Sequence, residues 1–374
     1  MDSFHLTILF ILFVLGMNLF QNLKKIEMYE GIQGDVNTPL VSILVPARNE
    51  EGTIEECVES LLQSDYPLLE IVVLDDNSRD RTFAIIRRLS QSHANLRVIK
   101  GKKLPPGWNG KNWACHQLAQ SAGGEWFLFT DADTCHSPHS VSSALEAARR
   151  CHSDFVTAIP GLTMKTWSEK LVLPVIHFAF FTLLPYNIMN FRRNCRLAIG
   201  IGPFLFMSRD CYFSCGGFEA IKTEILDDMA LAKKVKQNNR KISVIDGTGF
   251  MTVRFYTSFK EVWAGLSKNS FQAIGGSPHF LLGISLACYF LFIYPYISLG
   301  SAILDHQSLT LPLLQLIVIS LIKIAMAARF KTSVIYGLLH PFMIILILLI
   351  LFNSFRLSFF GKQFEWKERL YPVK

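Results

Sequence analysis

The apolar residues of this chain are gathered into blocks: one run near the N-terminus, Phe4 to Phe20, and nearly everything after Ser277. The first run is apolar over about 17 residues, close to the lower limit for crossing a hydrocarbon core. Three later stretches, roughly His279 to Leu304, Leu309 to Ala328 and Val334 to Phe352, are each long enough to cross as well. With 50% hydrophobic and 18% charged residues among 374, the chain is too apolar for an ordinary soluble enzyme.

No basic residue precedes the first run and no small-residue cleavage site follows it, so it reads as an uncleaved anchor rather than a signal peptide. Lys24 and Lys25 follow it and place the next segment in the cytoplasm. Three more crossings would then put the tail outside, although the tail carries Arg356, Lys362, Lys367, Arg369 and Lys374. The positive-inside tendency wants those residues in the cytoplasm, which leaves the number of crossings open. Pro295 and Pro341 would break the first and last of the later stretches, and Lys323 lies near enough to the end of its run to snorkel. The expectation is a multi-pass protein of the cell membrane with its polar domain on the cytoplasmic side. The segments are 1–23, an anchor; 39–276, a folded domain; 277–355, membrane helices; and 356–374, a basic tail.

The formal net charge of +7 is carried beside these apolar runs, where it suits anionic lipid and not a nucleic-acid partner. Eight cysteines without a C-x-x-C pair suggest reduced cytosolic thiols, not a disulfide framework.

Between about Pro39 and Gly276 the pattern changes. Leu40–Pro46, Glu70–Leu74, Arg97–Lys100 and Glu125–Thr130 read as strands, and helical stretches, Ile54 to Gln63 and Thr82 to Ser90, follow the first two. Such alternation predicts an α/β fold around a parallel sheet, with ligand at the carboxyl ends of the strands. Those ends are polar. The first strand runs into Ala47-Arg48-Asn49-Glu50-Glu51, the second into Asp75-Asp76-Asn77-Ser78, and the fourth into Asp131-Ala132-Asp133-Thr134. Three such exits along one edge would converge on one crevice.

Asp131 and Asp133, either side of a small residue, can present carboxylates to one hard cation, Mg²⁺ or Mn²⁺, that also holds a diphosphate. Asp75-Asp76-Asn77-Ser78 is either a plain Asx turn or a carboxylate that accepts a hydrogen bond from a base edge. In Gly107-Trp108-Asn109-Gly110-Lys111 the glycines allow close backbone approach and Lys111 can meet phosphate; the alternative is a surface turn with a solvated lysine. Leu226-Asp227-Asp228 opens a helix, so its acids either serve the helix dipole or make Asp228 a general base. Leu171 to Phe191, interrupted by Pro174 and Pro185 and followed by Arg192, Arg193 and Arg196, fits a helix in the membrane interface or buried core.

Taken in order, PARNE, DDNS, GWNGK, DADT, GPFLFMSRDCYFSCGGF and LDDMAL resemble family 2 glycosyltransferases, over about Pro39 to Gly276. The resemblance implies a GT-A, Rossmann-like nucleotide-sugar domain, here with an N-terminal anchor helix and C-terminal transmembrane helices. It implies a nucleotide-sugar site at Pro46, Asn49, Glu50, Asp75, Asp76, Lys111 and Asp131, with Asp76 on the base. Asp131 and Asp133 would serve a metal, Mg²⁺ or Mn²⁺. Asp228 matches the catalytic aspartate of the family's Glu-Asp pair, with Asp227 standing in place of the Glu. Val253 to Gly276, His340-Pro341 and Phe364 to Tyr371 are similar to the branch of that family acting on carotenoid acids. That similarity implies inverting transfer of glucose from UDP-glucose to a lipid carboxylate, with Trp263 and Lys268 presenting the acceptor from the membrane side. A hydroxyl lipid such as a diacylglycerol, ceramide-like or hopanoid acceptor is the alternative within the class. A catalytically inert membrane binding protein and a small transporter are the alternatives outside it; intact Asp131, Asp133 and Asp228 count against the first, and the scarcity of polar residues in the spans against the second.

Overall fold

The computed structural model describes residues 2–31, 38–190, 198–360, 363–366 and 369–372. Arg192, Arg193 and Arg196, and Lys362, Lys367 and Lys374 of the basic tail, lie outside the described residues. The chain divides into two units: Ile26–Thr163 with Tyr186–Arg254, and Met1–Lys25 with Met164–Pro185 and Phe255–Lys374.

The first of these units is built on an eight-stranded sheet. Its strands are β1 Val41–Ala47, β2 Leu69–Asp75, β3 Leu96–Lys100, β4 Trp126–Phe129, β5 Thr134–His136, β6 Phe155–Leu162, β7 Leu205–Ser208 and β8 Ile242–Val253. Their order across the sheet is β3-β2-β1-β4-β7-β6-β8-β5. The first four run parallel, while β7 is antiparallel to both β4 and β6.

Side chains alternate between the faces of a strand, and here both faces are apolar because both are covered. Ile43 and Val45 of β1, Ile71 and Val73 of β2 and Leu128 of β4 share one core with Ile54, Val58 and Leu61, Ile86, and Val141 and Leu145. These come from helices Ile54–Leu62, Thr82–Ser92 and Ser140–Arg150. Leu44, Val72, Leu74, Phe127 and Phe129 point the other way, onto Ala114 and Leu118 of helix Gly110–Ser121 and Leu231 and Val235 of helix Asp227–Gln237. The three polar strand exits expected from the sequence, those of β2, β1 and β4, are therefore neighbours, with the chain reversing its direction of travel across the sheet between β1 and β4. A crevice outside the carboxyl ends of those strands is where such sheets bind ligand.

Two exits are tied to each other directly. Ala47 pairs in register with Asp75, and the Asp76 N–H donates to the Ala47 carbonyl at 2.8 Å. Buried Arg48 donates through Nη1 to the carbonyls of Asp76 at 2.6 Å and Asn77 at 3.1 Å. Asn49 and Asn77 take positive φ, 52° and 57°, a conformation asparagine tolerates better than most residues. The side chain of Asn49 accepts from the Arg79 N–H at 2.9 Å, and its own N–H donates to Ser78 Oγ at 3.0 Å.

The second unit holds four helices long and apolar enough to cross a membrane: Asp2–Lys25, Pro278–Leu304, Thr310–Arg329 and His340–Phe360. Phe10, Phe13, Leu282, Leu321 and Phe342 on them are each more than half exposed. Water does not tolerate so much contiguous apolar surface; lipid does, and the chain is membrane-associated. Pro341 marks a break as anticipated, whereas Pro295 does not break its run. Pro295 follows a π turn, Tyr289–Ile293, inside a helical run that continues to Leu304. Before Pro341 the chain stops: a short helix Val334–Leu338 ends, and the last apolar helix begins at His340 rather than Val334. The stretch from Leu171 forms the end of helix Trp167–Val172, then Pro174–Phe178 and a π turn Ala179–Leu183. Asn22 satisfies carbonyls this turn leaves open, donating to Phe181 at 3.0 Å and Leu184 at 2.7 Å. Lys323 does not snorkel. It is buried, with Nζ 3.7 Å from the centre of the Phe178 ring. A two-stranded antiparallel sheet, Gln363–Trp366 with Arg369–Pro372, ends the described chain.

Candidate active site

Helix Gly110–Ser121 is anchored at its start. The Asn109 N–H donates to the Lys222 carbonyl at 2.7 Å, and the Asn112 side chain donates to the carbonyls of Ile221 at 2.8 Å and Glu224 at 3.0 Å. These bonds hold the approach to helix Asp227–Gln237 against the first turn that carries Lys111. Lys111 Nζ consequently lies 2.8 Å from Asp131 Oδ1, beyond the end of β4, and 3.5 Å from Asp227 Oδ2. Burial acts to lower the pKa of Lys111, but Asp131 and Asp227 outweigh it and hold the ammonium well above the ordinary lysine range.

Asp228 faces the same space. Its Oδ2 accepts the Gly202 N–H at 3.0 Å and its Oδ1 accepts the Met229 N–H at 2.7 Å. Burial first, and the neighbouring Asp227 second, raise its carboxyl to about 7. Gly202 is the point around which the charged groups gather. A Cβ there would sit 3.4 Å from Asp131 Oδ2, 3.5 Å from Asp228 Oδ2 and 3.6 Å from Lys111 Nζ. Neither this residue, which opens the GPFLF run, nor Gly200 was assigned a role from the sequence. A Cβ at Gly200 would overlap the backbone carbonyl of Asp228, so only glycine lets the two segments approach. Gly200→Ala is expected to push Asp228 out of the cluster, lowering Tm by several degrees for the ~1–3 kcal/mol of overpacking involved. Scanning calorimetry showing an unchanged Tm alongside unimpaired transfer would contradict that close fit.

The lead-in to β7 is pinned to the exit of β4. Thr130 Oγ1 donates to the Pro203 carbonyl at 2.8 Å and lies 2.9 Å from His136 Nε2. With its proton committed to Pro203, Thr130 accepts from His136, which assigns the imidazole proton to Nε2. Burial depresses His136 to about 3, so the ring is neutral and acts as a fixed donor. Arg48 and Thr130 were not assigned a role from the sequence; each acts on backbone, and side-chain pattern carries no signal of that.

Asp133 differs from Asp131. Its Oδ1 is buried without a hydrogen-bond partner. Burial, then Asp131, then Glu50 raise its carboxyl to about 7. An orphaned carboxylate oxygen next to a second carboxylate suits a divalent cation. Among the described residues no group of three or more His, Cys, Asp or Glu is placed to hold a metal alone. The donor set therefore fits Mg²⁺ or Mn²⁺ bound through one or two carboxylates, with substrate phosphates and water completing the shell.

The other expected site residues divide into two groups. Asp75 and Asp76 are buried at the exit of β2, where Asp75 Oδ1 accepts from the Ser78 N–H at 3.4 Å. Pro46 is half-buried in β1, Asn49 braces the neighbouring turn, and Glu50 Oε2 accepts from Thr53 Oγ1 at 3.2 Å. All of these stand on the strand exits that carry the acidic cluster. Trp263 and Lys268 lie instead on helix Phe259–Ala273, in the unit of apolar helices.

A mixed sheet of this order, with its acids at the carboxyl ends, is the architecture of GT-A nucleotide-sugar transferases. Residues 42–213 match the family described as Glycosyl transferase family 2, and the enzyme class is glycosyltransferase. The chain is 24% identical over 366 residues to a 4,4′-diaponeurosporenoate glycosyltransferase of Staphylococcus haemolyticus, covering 95% of each. It is 23% identical over 245 residues to the protein of the same description in Staphylococcus aureus, covering 64% of this chain and 63% of that one. Among solved structures it resembles a mannosyltransferase from Pyrobaculum calidifontis in complex with GDP-Man and Mn²⁺. That likeness has a TM-score of 0.55 at 18% identity and covers 94% of this chain and 98% of the other.

Proposed function

We propose that this chain transfers glucose from UDP-glucose, with inversion, to the carboxylate of a carotenoid acid such as 4,4′-diaponeurosporenoate held in the membrane. The observation that carries the reading is the gathering of Lys111, Asp131, Asp227 and Asp228 around Gly202, with an unpartnered Asp133 oxygen beside them. Asp76 accepts from the uracil imide N–H, and Asp75, Pro46, Asn49 and Glu50 shape the base-binding edge. Lys111 neutralises the diphosphate. A divalent cation held by Asp131 and Asp133 would supply Lewis-acid stabilisation of the charge on the departing diphosphate.

The acceptor oxygen forms a bond to the anomeric carbon as the bond from that carbon to the diphosphate oxygen breaks. UDP leaves with the electron pair. A single displacement inverts the centre, and no second nucleophile is needed among the cluster residues. A carboxylic acid is ionised at neutral pH and needs no proton removed. Trp263 and Lys268 serve the acceptor, and Lys24 and Lys25 favour the cytoplasmic side for the catalytic unit.

The raised carboxyl of Asp228 supports a second reading, in which it takes the proton of a hydroxyl lipid. One experiment tests both. Membranes are incubated with labelled UDP-glucose, Mg²⁺ or Mn²⁺, and either the carotenoid acid or a diacylglycerol. Label in a carotenoid ester from which alkali releases free glucose is the expected result; label that alkali releases as glucosylglycerol selects the second reading, and consumption of other nucleotide sugars alone rejects glucose.

A further inference from the structure

Helix Thr310–Arg329 buries a lysine within its apolar run: Lys323 is 6% exposed. Its ammonium rests over Phe178, and among the described residues it has no carboxylate partner. His340, which begins the last apolar helix, is 1% exposed, and both its ring nitrogens are buried without a hydrogen-bond partner. Both residues line a cavity of about 30 Å³, with Lys170, His177, Phe178 and Tyr336 among its walls and no Asp or Glu in the lining.

An ionisable group buried among apolar helices is costly, and its retention marks a ligand or a pathway. The cavity offers an ammonium donor, an imidazole donor and a phenol, with a largely apolar wall around them. Everything missing from that set is supplied by one small anion on an apolar chain. At about 30 Å³ the cavity exceeds the ~10–15 Å³ that one water needs, and a planar carboxylate asks less of that room than a tetrahedral phosphate. We propose that this cavity binds the carboxylate of a long-chain apolar acid from the membrane, with Lys323 as counter-ion and His340 as hydrogen-bond donor. Esterification removes the charge, so the site holds the acid and releases its ester. Equating that acid with the acceptor rests on the function proposed above; the binding itself does not.

The test uses the full chain in phosphatidylcholine nanodiscs with spin-labelled stearic acid, its methyl ester and a spin-labelled phosphatidic acid. The acid is expected to show a motionally restricted component that the ester and the phosphatidic acid lack. Lys323→Met should weaken the acid at least tenfold, Lys323→Arg should retain most of the affinity, and His340→Gln should lose several-fold. Circular dichroism and a thermal scan in the nanodisc report whether each variant is folded; should Lys323→Met fail them, the Arg and Gln variants decide. Equal binding of acid and ester, or undiminished binding of acid by the neutral variant, means that the cavity holds only water and overturns the proposal. Phosphatidic acid bound as tightly as the fatty acid overturns it too. Acid bound selectively by a protein that never consumes UDP-glucose leaves this site standing and removes the function proposed above.

Discussion

Asp133→Ala should abolish detectable transfer while leaving the protein at least as stable as before. The Asp133 carboxylate has an oxygen buried without a partner, and burial together with Asp131 and Glu50 raises its pKa. In the ligand-free fold it is therefore a liability: replacing it removes a desolvated, mutually repelling charge. Its value must lie in the liganded state. Loss of a preorganised group facing the charge of a leaving diphosphate costs ~10²–10³-fold in rate. Asp131→Ala is the informative partner variant, because it also removes the 2.8 Å ion pair to Lys111. It should lose transfer equally but be less stable than Asp133→Ala. Calorimetry with UDP, with and without Mn²⁺, and a thermal scan of each variant separate the two effects. Transfer by Asp133→Ala within about threefold of the unaltered protein would remove Asp133 from the machinery, since electrostatic contacts at this site carry far more.

How far sequence leads toward this site depends on strand direction. The exits of β1, β2 and β4 were legible because each apolar run ends in a polar cluster, and parallel strands put like ends at one edge. Gly200 and Gly202 were not. They precede β7, and a residue before a strand belongs at the opposite edge unless that strand is antiparallel, as β7 proves to be. Nothing in Leu205–Ser208 itself announces its direction. The same limit hid Arg48, whose length and charge suggest a solvated residue but whose guanidinium replaces backbone partners at Asp76 and Asn77. Lys323 was misread for a related reason: its distance along the helix suits snorkelling, whereas the packing of Phe178 against it decides where the ammonium goes. Local pattern fixes periodicity and termini; it does not report which distant segment covers a polar atom.

Asp228→Asn separates the two acceptor classes by the size of its effect. Both Asp228 oxygens accept backbone N–H groups, from Gly202 and Met229, and asparagine can keep one of these while its amide opposes the other. Against a hydroxyl acceptor the variant should lose ~10²–10⁴-fold in kcat/KM, the usual contribution of a general base. Against a carboxylate acceptor, already ionised, the loss should stay within about tenfold, because only positioning is disturbed. The pH profiles should diverge in the same sense. The carboxyl of Asp228 stands near 7 against an ordinary value of 3.8, so base catalysis by this group appears only as pH rises through about 7. Its effect on folding runs oppositely. A carboxyl whose folded pKa is raised stabilises the fold below about 4 and loses that contribution as pH rises through about 7. Asp228→Asn should therefore raise the Tm of the ligand-free protein at pH 8 and leave it nearly unchanged at pH 4. A Tm that falls equally at both values would mean that the two backbone bonds outweigh the repulsion from Asp227, and that Asp228 is held as a structural acceptor, not as a base in waiting.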